Sequence, residues 1–414
     1  MIVFLYKPIK MKLKIRKHPL LFFALCTATF SCKNDESRKA VQVKAIPVDP
    51  ATSKGMLISD LFQSVEFIPI TSHSPILVHE IAKVREIGDS IVIMTDQELW
   101  FANGKGEVIN KIDAKGQGPG EYETINDLLV DEENQTIEIL DGGAGKIIKY
   151  SLYGKFVEEW KNDAFHMARS FTRISDDTYA IYGGISFEMG AGSRLLYVSK
   201  DKDDVTAKYF PIGKEARFAV FLEQDNFWRD GKDLYFSFTF QDTVYRLREE
   251  GPAPYLGFDY GKYSLPDNIM ERDFSDVMEF IDYCRQTLAA YQAANIFETA
   301  DWLFFTFEYQ AHRHQGYYDK ANNQLQIGSG WTDSGGNKAI DELYYFLKYP
   351  KGSGDNVLYF QIEPYDMILR YEKLREQMTA AEWENLLQEH QPLSKFYRSL
   401  SKDDNNILVR ANLR

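Results

Sequence analysis

The sequence contains few cysteines, and none of them has the spacing of a zinc or haem site. Of three cysteines in 414 residues, Cys26 and Cys32 lie in or beside an N-terminal segment with the features of a secretory signal, which leaves Cys284 alone in the rest of the chain. One cysteine cannot form an intramolecular disulfide. The hydrophobic core must therefore stabilise the fold.

Positive charge is also scarce. The chain has 48 Lys and Arg residues against 61 Asp and Glu residues, a formal net charge of −13. General binding to a phosphate backbone requires clustered Lys and Arg side chains that displace counterions. The charge balance argues against that class of protein, and we expect no nucleic-acid partner.

Aromatic residues, by contrast, are abundant. Tyr (25), Phe (28) and Trp (6) make up 14% of the chain, while the 44% hydrophobic and 26% charged residues are ordinary for a globular protein. Flat rings pack well on a pleated surface, so the composition favours a β-rich fold. Disordered and collagen-like structures are excluded.

The N-terminus has the pattern of an export signal. Residues 1–31 carry six basic residues and no acid, and residues 19–30 are apolar. Twelve residues span about 18 Å as a helix, too short for the roughly 30 Å hydrocarbon layer, so a permanent transmembrane helix is not expected. Met11 is an alternative start that gives a signal of ordinary length. Loss of the six basic residues leaves a net charge of −19.

Ser31-Cys32 followed by the polar, acidic Lys33-Asn-Asp-Glu36 resembles a bacterial lipoprotein signal. The resemblance implies that Cys32 is lipidated and anchors the protein to the outer membrane, facing the periplasm or the medium. A plain cleaved signal with an incidental Cys32 is the alternative. Residues 32–57 are expected to be a polar linker.

One short strand pattern recurs six times at intervals of 42 to 69 residues. Each copy is preceded and followed by further apolar segments and turns, which predicts four-stranded antiparallel sheets. Packing six such sheets around an axis buries their faces, so we predict an all-β, six-bladed β-propeller over residues 58–414. The recurring segments are Ser90–Asp96, Thr136–Asp141, Thr178–Gly183, Asp233–Phe238, Trp302–Phe307 and Asn356–Gln361.

Two further strands and two helices complete the prediction. A ring must be closed where its ends meet, so segments 64–70 and 406–412 are expected in the blade that contains Leu358. Apolar residues at three- and four-residue intervals predict a helix near 271–292. The capping-box pattern Thr379-Ala-Ala-Glu382 predicts another near 379–390. We expect both helices to be structural, and Cys284 to be an inert core thiol.

Several motifs also carry a family resemblance. Gly116-Gln-Gly-Pro-Gly-Glu-Tyr122, Ile137-Glu-Ile-Leu-Asp141 and Gly154-Lys-Phe156 resemble an NHL-type repeat, and Tyr317-Tyr-Asp-Lys320 and Asn406-Ile-Leu-Val-Arg410 are similar to segments of the six-bladed β-propeller lipoproteins of Bacteroidetes. The resemblance covers roughly residues 58–414. It implies a fold and a cell-envelope location, but no established activity.

Binding in propellers usually takes place in loops at one end of the central channel. Aromatic and charged side chains around such a mouth suit a glycan, a peptide or another polar ligand. We therefore expect a non-catalytic binding or scaffold module for a glycan, peptide or envelope protein, without a cofactor. The candidate channel-mouth residues are Tyr122, Glu123, His166, Arg169, Arg217, Trp228, His312, His314 and Trp331.

The pair His312 and His314 supports an alternative function. Two imidazoles two residues apart on a strand face the same side, and Glu308 would complete a divalent-metal site. The alternative is a metal-assisted hydrolase or lyase, similar to the lactonases, with its site in the channel. Histidines in exposed loops are also common without any role, and a purely structural assembly role is a third alternative.

Overall fold

The computed structural model describes residues 43–72, 78, 80–95, 97–187, 191–213 and 225–414. Before the first blade, the chain forms three strands and one short helix. They are β1 (Lys44–Pro47), β2 (Gly55–Leu57), α1 (Ile58–Leu61) and β3 (Phe62–Pro69).

Six antiparallel sheets follow, each containing four strands in an up-and-down arrangement. Blade 1 has β4 (Lys83–Ile87), β5 (Ser90–Met94), β6 (Leu99–Asn103) and β7 (Val108–Ile112); blade 2 has β8 (Asp127–Asp131), β9 (Thr136–Asp141), β10 (Lys146–Ser151) and β11 (Phe156–Lys161). Blade 3 has β12 (Ser170–Arg173), β13 (Thr178–Tyr182), β14 (Ser193–Ser199) and β15 (Asp204–Pro211); blade 4 has β16 (Phe227–Asp230), β17 (Asp233–Phe236), β18 (Thr243–Arg248) and β19 (Gly251–Asp259).

The last two blades carry most of the helical insertions. Blade 5 has β20 (Ala290–Glu298), β21 (Trp302–Tyr309), β22 (His312–Asp319) and β23 (Gln324–Gly328); β24 (Gly330–Thr332) follows, and blade 6 has β25 (Gly352–Gly354), β26 (Val357–Ile362), β27 (Ile407–Leu413) and β3. The remaining α-helices are α2 (Val277–Gln286), α3 (Ala339–Leu343), α4 (Pro364–Glu376), α5 (Ala380–Glu389) and α6 (Gln391–Ser399). Short 3-10 turns occur at Pro50–Thr52, Asp163–Phe165, Gly184–Phe187, Gly261–Tyr263, Ile269–Glu271 and Tyr345–Lys348.

The six sheets form a ring around a central channel. One cavity is lined by residues from β4, β8, β12, β16, β20 and β25, which are the first and innermost strands of the six blades. Burial changes from the inside outward: all six residues of β9 are buried, whereas outer strands such as β15 alternate between exposed and half-buried residues. The predicted all-β, six-bladed propeller is confirmed, and every recurring segment forms the second strand of a blade.

Blade 6 joins the two ends of the chain. β27 pairs antiparallel with β26 on one side and with β3 on the other, in a register that places Ile407 opposite Pro69 and Arg410 opposite Glu66. The prediction that segments 64–70 and 406–412 share the blade of Leu358 is confirmed. At the start of β3, the buried ring of Phe62 contacts Tyr317 and Trp331 from blade 5 and its following loop.

Residues 43–57 also belong to the propeller, which corrects the linker expected over residues 32–57. β1 adds a parallel strand to the outer edge of blade 4 beside β19, and β2 pairs in parallel with β24. Ile46, Val48 and Met56 are buried, so their apolar side chains fix this segment to the blades. Residues 32–42 lie outside the described part of the chain. We call residues 43–57 the N-terminal strap.

The helices differ in part from the prediction. Within the expected range 271–292, α2 covers ten residues, and Tyr291 belongs to β20. The helix ends early because Leu288 adopts a left-handed conformation with φ of 56°. The capping box at Thr379 and Glu382 is confirmed at the start of α5. None of the described helices has both the length and the apolarity needed to span a membrane.

Ring closure can be tested with Phe62→Ala. Removing this buried ring leaves a cavity between blades 5 and 6, so we expect the free energy of unfolding to fall by about 3 to 5 kcal/mol. Tyr153→Ala is the control, because the Tyr153 side chain is 86% exposed and its loss should change stability by less than about 0.5 kcal/mol. Urea unfolding of both variants measures the difference, and similar values would show that Phe62 does not secure the closure.

Candidate functional site

Four charged side chains meet inside the channel. Lys83 on β4 donates to Asp127 on β8 at 2.6 Å and lies 2.8 Å from Asp225, just before β16. Arg85 donates to the same Asp225 oxygen at 3.0 Å. We call Lys83, Arg85, Asp127 and Asp225 the ion cluster. It links blades 1, 2 and 4 across the centre of the ring.

Each charge in the ion cluster is compensated. Lys83, Asp127 and Asp225 are buried, and burial of charges is favourable only when partners and hydrogen bonds are complete. The second oxygen of Asp127 accepts a hydrogen bond from the Phe171 amide at 3.1 Å. Although burial raises the pKa of Asp225, the positive charges of Lys83 and Arg85 outweigh it and hold that pKa below its usual value.

The ion cluster separates two cavities. We call the end of the ring where the chain enters each innermost strand the upper face, and the opposite end the lower face. An upper-face cavity of about 480 Å³ contains Met94, Asn126 and Arg169. A lower cavity of about 280 Å³ contains residues from all six innermost strands. Lys83 lines both cavities, so the ion cluster lies between them.

A third cavity lies on the upper face, beside the helices that interrupt blade 6. Its volume is about 440 Å³, and we call it the upper cleft. It combines blade 5, the loop before β25, the loop before β4 and helix α4. Its polar and aromatic lining residues include Glu80, Asn295, Arg313, Tyr345, Tyr349, Lys351 and Arg370.

Guanidinium groups and tyrosine rings are paired in the upper cleft. The guanidinium of Arg370 lies 4.4 Å from the Tyr345 ring centre, and that of Arg313 lies 5.8 Å from the Tyr349 ring centre. Carboxylates hold both arginines: Asp366 accepts from Arg370 at 2.8 Å, and Glu308 accepts from Arg313 at 2.8 Å. The cleft therefore presents flat rings, fixed cations and acceptors together.

An irregular innermost strand borders the upper cleft. The pairing of β20 with β21 shifts register twice, between Tyr291 and Ala294 and again between Ala294 and Phe297. None of the other five innermost strands shows a register shift against its neighbour within the described residues. Bulges of this kind redirect side chains and are frequent beside binding sites.

The irregularity places Asn295 in the cleft. Asn295 and Gln292 adopt left-handed backbone conformations, with φ of 48° and 64°, which are uncommon for residues other than glycine. The Asn295 side chain donates to the Thr306 hydroxyl at 3.1 Å, and that hydroxyl donates to the Ala294 carbonyl at 3.1 Å. Backbone strain of this kind persists where the surrounding structure holds it, and it concentrates at functional sites.

Two of the predicted channel-mouth aromatics are core residues. Tyr122 is fully buried, its hydroxyl donates to the Gln97 carbonyl at 2.7 Å, and burial raises its pKa to about 12. Trp331 is buried against Phe62 and Tyr317. Rings without accessible surface cannot stack on a ligand, so both residues serve the packing between blades.

The other predicted residues are spread over several places. His166 is exposed in a separate surface cavity between blades 2 and 3, and Arg169 lines the upper-face cavity beside the ion cluster. Glu123 is exposed and accepts a hydrogen bond from Gln117 at 2.8 Å. Trp228 lines the lower cavity, and its indole donates to Glu298 at 2.9 Å. Arg217 and Cys32 lie outside the described residues.

The fold engages one member of the histidine pair and leaves the other, His312, exposed. His314 is buried, its Nδ1 lies 2.8 Å from the Ser53 hydroxyl, and burial followed by the charge of His312 lowers its pKa. Glu308, the expected third ligand, is paired with Arg313. In the part of the chain that the structure describes, no group of three His, Cys, Asp or Glu side chains is placed to hold a metal ion.

The residues of the upper cleft carry little signal in the sequence. Arg313 lies between the two histidines that were singled out, but Tyr345, Tyr349, Lys351 and Arg370 come from segments with no recognisable motif. Helix α4, which carries Arg370, was not predicted. The local surplus of aromatic residues in Tyr344–Tyr349 was the one available signal.

Comparisons with known proteins identify the fold. A family model described as "Domain of unknown function (DUF4934)" matches residues 43–412. A protein of Bacteroides fragilis NCTC 9343 described as exported has a similar structure, with 15% identity and a TM-score of 0.67, covering 90% of this chain and 100% of that chain. No curated protein matches the sequence.

Two other solved structures are more distant. A member of the DUF4221 family from Bacteroides vulgatus has 10% identity and a TM-score of 0.49, covering 86% of this chain and 97% of its own. Virginiamycin B lyase from Staphylococcus aureus has 10% identity and a TM-score of 0.37, covering 72% of this chain and 81% of its own. With TM-scores below 0.5, neither of these two likenesses supports a further conclusion.

The ion cluster can be tested with Asp225→Asn. The amide keeps the shape but leaves Lys83 and Arg85 under-compensated, so we expect a loss of about 3 kcal/mol in unfolding free energy at pH 7. Because the pKa of Asp225 is lowered in the folded protein, its stabilisation is complete above about pH 4 and is lost as the pH falls further. The difference between variant and wild type should therefore shrink in acid.

Urea unfolding at pH 7 and at lower pH measures both effects. Asp113→Asn is the matched control, because this carboxylate forms an exposed pair with Lys111 at 2.9 Å and should contribute less than about 1 kcal/mol. If the Asp225→Asn variant is as stable as the wild type at pH 7, the ion cluster does not stabilise the fold.

Proposed function

This chain belongs to the DUF4934 family, whose function is unknown, and we propose that it is a non-catalytic binding module of the bacterial cell envelope. Its ligand binds in the upper cleft. The observation that carries the proposal is the irregular strand β20, which departs from the regular pairing of the other innermost strands where it borders the cleft.

The chemistry of the cleft favours a polar ligand with hydrogen-bond donors, acceptors and flat apolar faces. Tyr349 is half exposed and offers a ring for stacking. Arg313 pairs with Glu308 at 2.8 Å and Lys351 with Glu80 at 3.3 Å, and both cations carry further N–H groups that can donate to a ligand. Fixed charges of both signs suit a neutral or zwitterionic ligand better than a strongly charged one. Glycans meet this description best, and short peptides meet it next.

The metal-assisted alternative has no specific support in the described residues. Two of its three expected donors already have partners: Glu308 binds Arg313, and His314 is bonded to Ser53, while His312 is exposed. The upper cleft offers rings and paired charges instead of a set of converging metal ligands. We therefore propose ligand binding without chemical conversion.

The envelope location rests on the N-terminal sequence. A basic segment, an apolar stretch and the Ser31-Cys32 junction are the features of a lipoprotein signal. We propose that lipid on Cys32 anchors the protein to the outer membrane. In the sequence, residues 33–42 separate Cys32 from the strap.

Tyr349→Ala tests the binding site. Glycan and peptide arrays probed with wild-type protein identify a ligand, and calorimetry then compares the variants. We expect Tyr349→Ala to weaken binding about tenfold or more, because a stacking ring at a site centre contributes strongly to affinity. Arg313→Ala should also weaken it.

Tyr365→Ala is the matched control for this experiment. Tyr365 is 53% exposed, close to the 50% of Tyr349, and lies on the nearby helix α4 without lining the cleft. It should bind as the wild type does. Equal affinity of the Tyr349→Ala and Tyr365→Ala variants would place the ligand elsewhere.

Cys32→Ser tests the anchor. The serine variant cannot accept a thioether-linked lipid, so we expect the protein to move from the membrane fraction to the soluble fraction and to lose incorporation of labelled fatty acid. Cys26→Ser is the control, since Cys26 lies in the apolar part of the signal and should leave anchoring unchanged. Persistent membrane association of Cys32→Ser would overturn the proposed anchor.

A further inference from the structure

The lower cavity contains an arginine without a carboxylate partner. Arg229, a solvent-exposed residue of the innermost strand β16, lines the edge of the cavity, and its guanidinium donates to the main-chain carbonyl of Arg173. No ion pair of Arg229 occurs among the described residues. The other cations of this region are matched: Lys83 and Arg85 by the acids of the ion cluster, and Arg173 by Asp131 at 2.5 Å.

Arg229 lies against a second arginine, Arg173, whose carbonyl it binds. Burial, and then the positive charge of Arg173, lower the pKa of Arg229 from its usual value. A guanidinium nevertheless stays protonated at neutral pH. A cation held beside another cation, facing a cavity, is stabilised when an anion enters.

None of the four acids that border the lower cavity forms an ion pair with Arg229 in the described part of the chain. Asp127 and Asp225 belong to the ion cluster. Glu86 accepts a hydrogen bond from the Tyr359 hydroxyl and lies 3.8 Å from Arg410. Glu132 is an exposed turn residue, with no ion pair to Arg229 in the described part of the chain.

Neutral donors complete the site. Thr172 on β12 and Ser353 on β25 line the same cavity, and their hydroxyls make no hydrogen bond to the described residues. Trp228 and Phe297 form apolar walls. The guanidinium and the free hydroxyls can donate hydrogen bonds to a small anion. The aromatic walls of this space of about 280 Å³ can pack against a compact apolar group attached to the anion.

We propose that the lower cavity is a second binding site, distinct from the upper cleft, which takes a small oxyanion: a carboxylate or a phosphate held by Arg229. Thr172 and Ser353 donate to its remaining oxygens. The volume limits the ligand to a small molecule. The ion cluster closes the cavity toward the upper face, so the anion enters from the lower face.

Calorimetry of the full mature chain tests the site with two probes, benzoate and inorganic phosphate, in a low-salt buffer. We expect wild-type protein to bind about one equivalent of one or both probes, and Arg229→Gln to bind at least tenfold more weakly. Binding of benzoate supports an organic carboxylate ligand, while binding of phosphate alone supports a phosphoryl or inorganic anion.

Arg398→Gln is the matched control, because Arg398 is an exposed arginine of α6 that pairs with Glu384 outside the cavity. It should bind both probes as the wild type does. If Arg229→Gln does not fold, Thr172→Val replaces it and should weaken binding severalfold. The proposal is overturned if wild-type protein binds neither probe at about 10 mM, or if the cavity variant binds as tightly as the control.

Discussion

The pairing of β3 with β27 is the constraint on which the rest of the molecule depends. A row of stacked sheets leaves one face of its first sheet and one face of its last sheet uncovered, and a closed ring covers both; here the two ends of the chain share hydrogen bonds within blade 6. Here the shared blade also carries α4, α5 and α6 between β26 and β27. Closing the ring therefore also fixes the helical wall of the upper cleft, so the site and the closure are one structural unit.

The ion cluster gives the channel two independent ends. Burying Lys83, Asp127 and Asp225 is unfavourable unless their geometry is complete, and these three charges and the half-buried Arg85 satisfy one another across three blades. The consequence is a channel that does not pass through the molecule at this level. Residues such as Arg169 above the ion cluster and Arg229 below it face different compartments of solvent.

The fold was predictable because each blade repeats a local pattern. Segments such as Thr136–Asp141 are short apolar runs between turns. Six copies of this pattern along one chain are compatible with few folds other than a propeller. The helix near 271–292 was overestimated because Leu288 and Tyr291 continue the helical spacing after the backbone has left the helix. The strap was not predicted because it has few apolar residues, such as Ile46, and its mostly polar sequence is typical of a linker.

The site was less predictable because its residues meet only in the folded ring. Arg313, Lys351 and Arg370 belong to three separate segments, and the bulges of β20 have no compositional signature. Trp331 shows the converse problem: an aromatic residue near a loop looks the same in sequence whether it faces a ligand or the core. Its neighbour Phe62 lies far away along the chain.

The same closure determines the order in which the protein can fold. Ser64 on β3 and Asn412 on β27 are hydrogen-bonded although 348 positions separate them, among the most non-local contacts a chain of this length allows. Contacts of this separation form slowly because loop closure must precede them. A ribosome makes β3 early and β27 last among the described strands, so β3, which pairs with β27 at the outer edge of blade 6, has no partner strand until almost the whole chain has been made.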